Sequence, residues 1–333
     1  MRIRLLLGLS VLLLASWGCS FGPAEFPREQ AIRDAWQTLQ PVPAGPTYST
    51  APTLTAPYDP GVLDAGFLTD AVNMVSFVRF LAGVPRDVVL DPTLTAWAQA
   101  GAMLMAVSDS TERSPPDPPG MDPTLLNLAR TNILYAILGS GLTSLADAVS
   151  QGPDGWMRGG TDLSTNQAAT RRWILNPALY QLGFGFAESA ASTPYASLEA
   201  RDTSRSSIPA WDYVAWPSGD SFPVEFFAAG DPWTITLNPD EYSIPTVDRI
   251  VVTLDRFFVG PTWTLTWEDV NPAGEYLAVS TEPYGVANCI IFRPGPSVKY
   301  SAGDWFNVKV EGLRPMGDAP AELSFNVRFF SLN

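Results

Sequence analysis

Histidine is missing from the 333-residue sequence altogether. That absence excludes every mechanism in which the chain's own imidazole acts as base, nucleophile or metal ligand. No Ser-His-Asp or Cys-His arrangement can form, nor a Cys/His zinc cluster. Cysteine is nearly missing as well. Only Cys19 and Cys289 occur, so a disulfide framework is excluded unless these two pair with each other. Lysine is confined to Lys299 and Lys309, which carries no mechanistic weight. Positive charge is in deficit: 20 basic against 34 acidic residues give a formal charge of −14. Such a balance argues against nucleic-acid binding through a broad basic surface. No apolar run is long enough for a comfortable membrane span.

What is present is a globular composition with many turn formers, 31 prolines and 26 glycines. The length suits one large domain or two smaller ones, each with its own core. Met1 to Arg4 supplies a short positive region, and Leu5 to Ala15 an apolar run of signal-peptide length. The run ends at Ser16-Trp17-Gly18-Cys19-Ser20, with a small residue directly before a cysteine. This resembles the bacterial lipoprotein signal, although Leu usually stands three residues before the Cys. We expect export, removal of residues 1–18, lipidation at Cys19, and anchoring to a bacterial membrane, at the outer membrane or cell surface. Several acyl chains hold far more firmly than one. Loss of residues 1–18 takes Arg2 and Arg4 and no acid. The mature chain then holds 18 basic and 34 acidic residues, a net charge of −16. That surface repels anionic headgroups, so membrane contact is expected through the lipid alone.

Residues 19–60 carry Pro23, Pro27, Pro41, Pro43, Pro46, Pro52, Pro57 and Pro60 and read as a tether, with one short helix near residues 29–39. Residues 66–108 read as two helices. Leu68, Ala71, Val72, Val75, Val78 and Leu81 recur at helical spacing, as do Leu94, Trp97, Ala98, Gly101, Ala102 and Met105. Asp91-Pro92 is an N-cap followed by proline at the first helical position. Further helices are expected at 125–138, 142–149 and 166–175, then a buried strand at Leu182 to Ala187. Beyond Trp216-Pro217 the pattern becomes period-two, as in Trp233/Ile235/Leu237, Thr262 to Trp267, Phe306/Val308/Val310 and Leu323 to Phe329. Short alternating runs between turns indicate an antiparallel sandwich.

The run Arg171-Arg172-Trp173-Ile174-Leu175-Asn176-Pro177, followed by Leu182-Gly183-Phe184-Gly185, resembles the CAP superfamily of cysteine-rich secretory, antigen-five-like and pathogenesis-related proteins. Val72-Asn73 with Arg79, Leu94 to Ala102, Arg113-Ser114-Pro115-Pro116, Thr131-Asn132-Ile133 and Ala148 to Trp156 agree with it. Ala215-Trp216-Pro217, Pro232 to Ile235 and Tyr284 to Pro294 resemble the C-terminal module of some bacterial members. The resemblance covers roughly residues 66–333. With the signal at 1–18 and the tether at 19–60, it implies an α+β chain with a CAP-like α/β/α sandwich over 61–211 and an antiparallel β-sandwich over 212–333.

CAP domains typically present two His and two acidic residues in a central cleft, often able to hold a divalent metal. Here the matching positions read Arg113 and Thr170 for the histidines and Thr131 for one acid, with Asp162 a loose match for the other. A guanidinium has no lone pair to offer a metal. We therefore expect no metal, no cofactor and no catalytic residue, and a modified cleft lined by Arg113, Thr131, Asn132, Trp156 and Thr170. The leading reading is a non-catalytic binding or scaffold protein for a lipid, glycan or protein ligand. A carboxylate-based hydrolase and a purely structural envelope protein are the alternatives. Arg113 reads equally as an anion-binding group and as a solvated loop residue. Arg171 and Arg172 read as structural arginines paired with carboxylates, and Trp173 as core. Trp263 and Trp267 share a face with Leu265 and read as core, and Cys289 as a buried inert thiol. Acids around Asp147, Asp154 and Asp162 read as solvated, since no EF-hand loop is present.

Overall fold

A computed structural model describes residues 26–42, 45–150, 155–158, 167–258 and 260–333. The expected signal, Cys19, Asp154 and Asp162 lie outside the described residues. The element order is α1 (Pro27–Leu39), β1 (Tyr48–Thr50), β2 (Val62–Leu63), α2 (Ala65–Leu81), β3 (Val89–Leu90), α3 (Pro92–Ser108), α4 (Pro123–Tyr135), β4 (Ile137–Ser140) and α5 (Leu145–Ser150). A single 3₁₀ turn at Trp156–Arg158 precedes α6 (Ala169–Ile174), β5 (Gln181–Glu188) and β6 (Pro194–Glu199). Asp91 caps α3 as the sequence suggests, accepting from the Leu94 amide at 2.8 Å, with Pro92 at the first helical position. Asp64 and Asp122 cap α2 and α4 in the same way.

These elements make an α/β/α sandwich around one four-stranded sheet, ordered β3-β5-β6-β4. The period of two in β5 builds both faces of that sheet. Leu182, Phe184 and Phe186 point into the cluster that holds Val75, Phe77 and Val78 of α2 and Val149 of α5. Gly183 and Gly185 point the other way and let α3 lie directly on the strand. A Cβ on Gly183 would sit 2.1 Å from the Leu94 carbonyl carbon, and one on Gly185 2.0 Å from the Ala98 oxygen. Ala129 and Ile133 of α4 cover the outer side of α3.

The remainder is strand-rich: β7 (Tyr213–Trp216), β8 (Asp220–Pro223), β9 (Trp233–Leu237), β10 (Val251–Arg256), β11 (Thr262–Leu265), β12 (Tyr276–Ser280), β13 (Cys289–Arg293), β14 (Trp305–Glu311) and β15 (Leu323–Phe330). They form two facing sheets, β12-β13-β9-β7 and β11-β10-β14-β15-β8. Trp233 centres the core between them, in ring contact with Phe227, Phe292, Tyr300, Phe306 and Phe329. Both sheets are antiparallel except at one edge, where β8 pairs parallel with β15.

Several expectations change. The segment expected as a tether is built into the fold where it is described. Ile32 is fully buried, Trp36 packs on Phe77 at 4.9 Å and Phe226 at 5.7 Å, and Arg33 donates to the Leu332 carbonyl at 2.6 Å. The flanking prolines disguise an apolar stripe of Ile32, Ala35, Trp36 and Leu39 at helical spacing. The helix expected to reach residue 138 ends at Tyr135, and Ile137–Ser140 pairs with β6 instead, gaining a ladder that a helix end lacks. Trp267 is 53 % exposed and not core, because β11 stops at Leu265 and a turn anchored by Asp269 begins at Thr266. Trp263 is half-buried. A single apolar cluster runs from Ile32 and Phe77 through Phe184 to Trp216, Phe222 and Trp233, so the helical and strand-rich halves share a core.

Candidate functional site

The edge strand β4 leaves one side of the central sheet open, and a cleft of about 620 Å³ forms along it. One wall is the segment Leu134–Ser140. Arg113 enters from the loop after α3, Ala169, Thr170 and Trp173 from α6, and Arg201 from just beyond β6. Tyr284, from the loop between β12 and β13, closes the cleft from the strand-rich half. Arg113 and Thr170, the two residues expected at the family's histidine positions, thus meet in one cleft although they lie 57 positions apart in the chain.

Arg113 fits neither of its two sequence readings alone. Its Nη1 donates to the carbonyls of Ile133 at 2.6 Å and Ala136 at 2.9 Å, satisfying acceptors that the end of α4 leaves open. Nε and Nη2 meet no acceptor among the described residues. Burial lowers its pKa from the ordinary arginine value; the guanidinium remains charged. Arg201 is the second cation. It pairs with Glu199 at 3.1 Å and lies 4.7 Å above the ring centre of Tyr135. Thr170 donates through Oγ1 to the Trp156 carbonyl at 2.6 Å. Among the described residues, no carboxylate lines the cleft.

The other three expected cleft residues do not line it. Thr131 is exposed on α4, with its hydroxyl donating back to the Asn127 carbonyl at 2.8 Å. Asn132 is 1 % exposed on the inward side of that helix. It donates through Nδ2 to Glu199 Oε1 at 2.8 Å and accepts from the Ser197 hydroxyl at 2.8 Å. Trp156 is buried behind the wall, its Nε1 donating to the Leu138 carbonyl at 3.1 Å. The helical phase separates Thr131 from Asn132 by about 100°, which here turns Thr131 to solvent and Asn132 to the core. Sequence reasoning missed Arg201, Tyr135 and Tyr284. Tyr284 stood in a motif ascribed to the other half, and nothing in the sequence places Arg201 beside Arg113. Glu199, buried and bound by Asn132 and Arg201, was missed for the same reason.

Arg171 and Arg172 are structural, but not through carboxylates. Arg171 donates to the carbonyls of Met157 and Pro232, each at 2.7 Å, and to Thr234 Oγ1 at 3.2 Å. Arg172 donates to Ser280 Oγ and the Val286 carbonyl, each at 2.7 Å, and to the Glu282 carbonyl. They bolt α6 to the outer face of the sheet that carries β9 and β13. Trp173 is half-buried and faces the cleft. Cys289 is a free, fully buried thiol whose pKa is pushed up by burial. Asp147 accepts from the Thr143 hydroxyl. Among the described residues, no three His, Cys, Asp or Glu side chains gather as a metal site, and no helix is long and apolar enough to cross a membrane.

Comparison with known proteins identifies one part of the chain. Residues 72–197 match the model of the cysteine-rich secretory protein family, CAP. No curated protein and no solved structure matches the sequence.

Proposed function

Starting from residues 72–197 as a CAP domain, we propose that the chain is a non-catalytic binding protein of the cell envelope, with its metal site lost and its cleft adapted to an anionic, sugar-like ligand. One observation carries the reading. Arg113 and Thr170, which the family resemblance aligns with histidines, line the same open cleft, joined there by Arg201 and, among the described residues that line it, by no carboxylate. In a chain of net charge −14, a cleft that carries the Arg113 and Arg201 guanidiniums against the one paired carboxylate of Glu199 keeps, among the described residues, a positive excess that favours a negative group. Tyr135, Trp173 and Tyr284 add aromatic surface against which a sugar ring packs. The donor set is wrong for a metal: Arg113 offers no lone pair, and a lone neutral threonine hydroxyl is a poor ligand without imidazole, thiolate or carboxylate beside it among the described residues. Among the described residues a hydrolase reading lacks its paired acids, since Glu199 is 1 % exposed and engaged by Asn132 and Arg201. A lipid on Cys19 would hold the protein at the membrane.

Calorimetry with N-acetylmuramic acid and N-acetylglucosamine tests the cleft, because the two sugars differ by a lactyl carboxylate. We expect binding of the acid, tenfold or more weaker binding of the neutral sugar, and loss of that preference in Arg201→Gln. Equal binding of both sugars refutes the anionic-ligand reading. A Zn²⁺ titration is expected to show no stoichiometric site, and a tight signal abolished by Thr170→Ala would overturn the lost-metal reading. Cys19→Ser or globomycin treatment is expected to release the protein from membranes; unchanged retention refutes the lipid anchor.

A further inference from the structure

The strand-rich half reaches the cleft through one short loop. Residues 281–288 join β12 to β13, and Tyr284 is the one residue of this half among the described residues that line the cleft. The loop has little structure of its own. The Tyr284 amide donates to the Glu282 carbonyl at 2.9 Å and the Val286 amide to the Tyr284 carbonyl at 2.8 Å, each closing only a three-residue turn.

What fixes the loop comes from α6 and the residues just after it. Arg172 Nη2 donates to the Glu282 carbonyl and, at 2.7 Å, to the Val286 carbonyl, which Nε also meets at 3.2 Å. One guanidinium thus grips the backbone on both sides of Tyr284, and it lies 5.4 Å from the centre of the Tyr284 ring. Asn176 Nδ2 donates to the Gly285 carbonyl at 3.3 Å. Gly285 has φ +69°, and a Cβ there would lie 2.5 Å from the Arg172 carbonyl oxygen, so the loop crosses α6 at a distance that only glycine permits. The donors of Arg172 divide their work. Nη1 bonds Ser280 in β12, whereas Nε and Nη2 serve the loop alone. A lysine ammonium could not span the same two carbonyls, because it lacks the planar fork. Tyr284 itself is half-buried, and among the described residues its hydroxyl has no partner and its ring touches neither Trp173 nor Tyr135. It stands as a fixed aromatic wall with an open polar tip.

On the anionic-sugar reading of the cleft, on which this rests, we propose that Tyr284 is the residue that recognises the sugar ring and that Arg172 and Asn176 are its positioning residues. The site is then composite. Arg113 and Arg201 of the CAP part meet the acid group, and the strand-rich half supplies the ring face and a hydroxyl through Tyr284. The same α6 that lines the cleft with Thr170 and Trp173 holds its far wall in place.

The test is calorimetry of the full chain with N-acetylmuramic acid and N-acetylglucosamine. Tyr284→Ala is expected to bind both sugars about tenfold more weakly at an unchanged Tm, with the preference for the acid retained; Tyr284→Phe is expected to stay within about threefold of the unsubstituted chain. Arg172→Lys keeps the charge and loses the fork, and is expected to weaken binding about fivefold. In the Tyr284→Ala background the same change is expected to cost nothing further, a coupling that a merely structural role would not produce. Equal affinity in the unsubstituted chain and Tyr284→Ala overturns the proposal and leaves the anionic-sugar reading standing. Additive effects of Arg172→Lys and Tyr284→Ala overturn the positioning role. Binding of neither sugar to the unsubstituted chain overturns the anionic-sugar reading and this proposal with it.

Discussion

Replacing Asn132 with Asp probes the buried polar cluster beneath the cleft. Asn132 Nδ2 lies 2.8 Å from Glu199 Oε1, and both residues are 1 % exposed. The substitution sets a second carboxyl where an amide donor stood. Two unit charges at that distance repel by about 6 kcal/mol at an effective dielectric of about 20. Arg201, 3.1 Å from Glu199 Oε2, offsets part of this, so the expected loss at pH 7 is about 3–5 kcal/mol. The sign with pH follows from linkage. Repulsion and burial raise the pKa of the introduced carboxyl in the folded state above its unfolded value of about 3.9. When both states are protonated the penalty is absent. As pH rises through the unfolded value, the unfolded chain releases its proton and the folded chain does not, so stability falls by about 1.4 kcal/mol per pH unit. The assay is urea unfolding followed by tryptophan fluorescence at pH 5, 6 and 7, beside Asn132→Ala. The alanine variant loses about 2–3 kcal/mol with a shallow slope. Equal slopes for the two variants would refute the account of Asn132 as the donor that neutral pH requires.

Gly185→Ala places a Cβ 2.0 Å from the Ala98 carbonyl oxygen and must push α3 from the sheet; a loss of about 3 kcal/mol or more is expected in chemical denaturation. Trp36→Ala removes the ring that packs on both Phe77 and Phe226 and is expected to cost about 2–4 kcal/mol, read as a lower Tm. Tyr48 and Tyr242 have pKa values pushed up to about 12, first by burial. Phenolate is thereby disfavoured in the fold, so stability is expected to drop from about pH 10, the unfolded tyrosine value, toward pH 12. A spectrophotometric titration in which all ten tyrosines ionise together at the unperturbed pKa would contradict this.

Much of the frame was legible because it rests on local rules. Asp91-Pro92 announces a helix start through its own side chain and ring, wherever the helix packs. The alternation in Leu182 to Ala187 fixes which side chains share a face, and the period of two in the last third fixes strands. The strand Ile137–Ser140 was not legible, since Ile137 and Leu138 continue the apolar pattern of α4 and only the edge of the sheet draws the segment out. The helix α1 was obscured by proline-rich surroundings, although its apolar stripe was present.

The cleft divides along the same line. The sequence by itself settled that no imidazole is available anywhere, and the family resemblance pointed to Arg113 and Thr170 as the positions concerned. Chemistry follows residue identity, and identity is one-dimensional. The tertiary structure decided that these two residues share a cleft with Arg201, Tyr135 and Tyr284, while Asn132 turns inward to Glu199 and Thr131 outward to solvent. It also decided that Arg171 and Arg172 meet carbonyls where carboxylates were expected. Those outcomes depend on helical phase and on packing between segments far apart in the chain, where no local pattern reports which groups will meet.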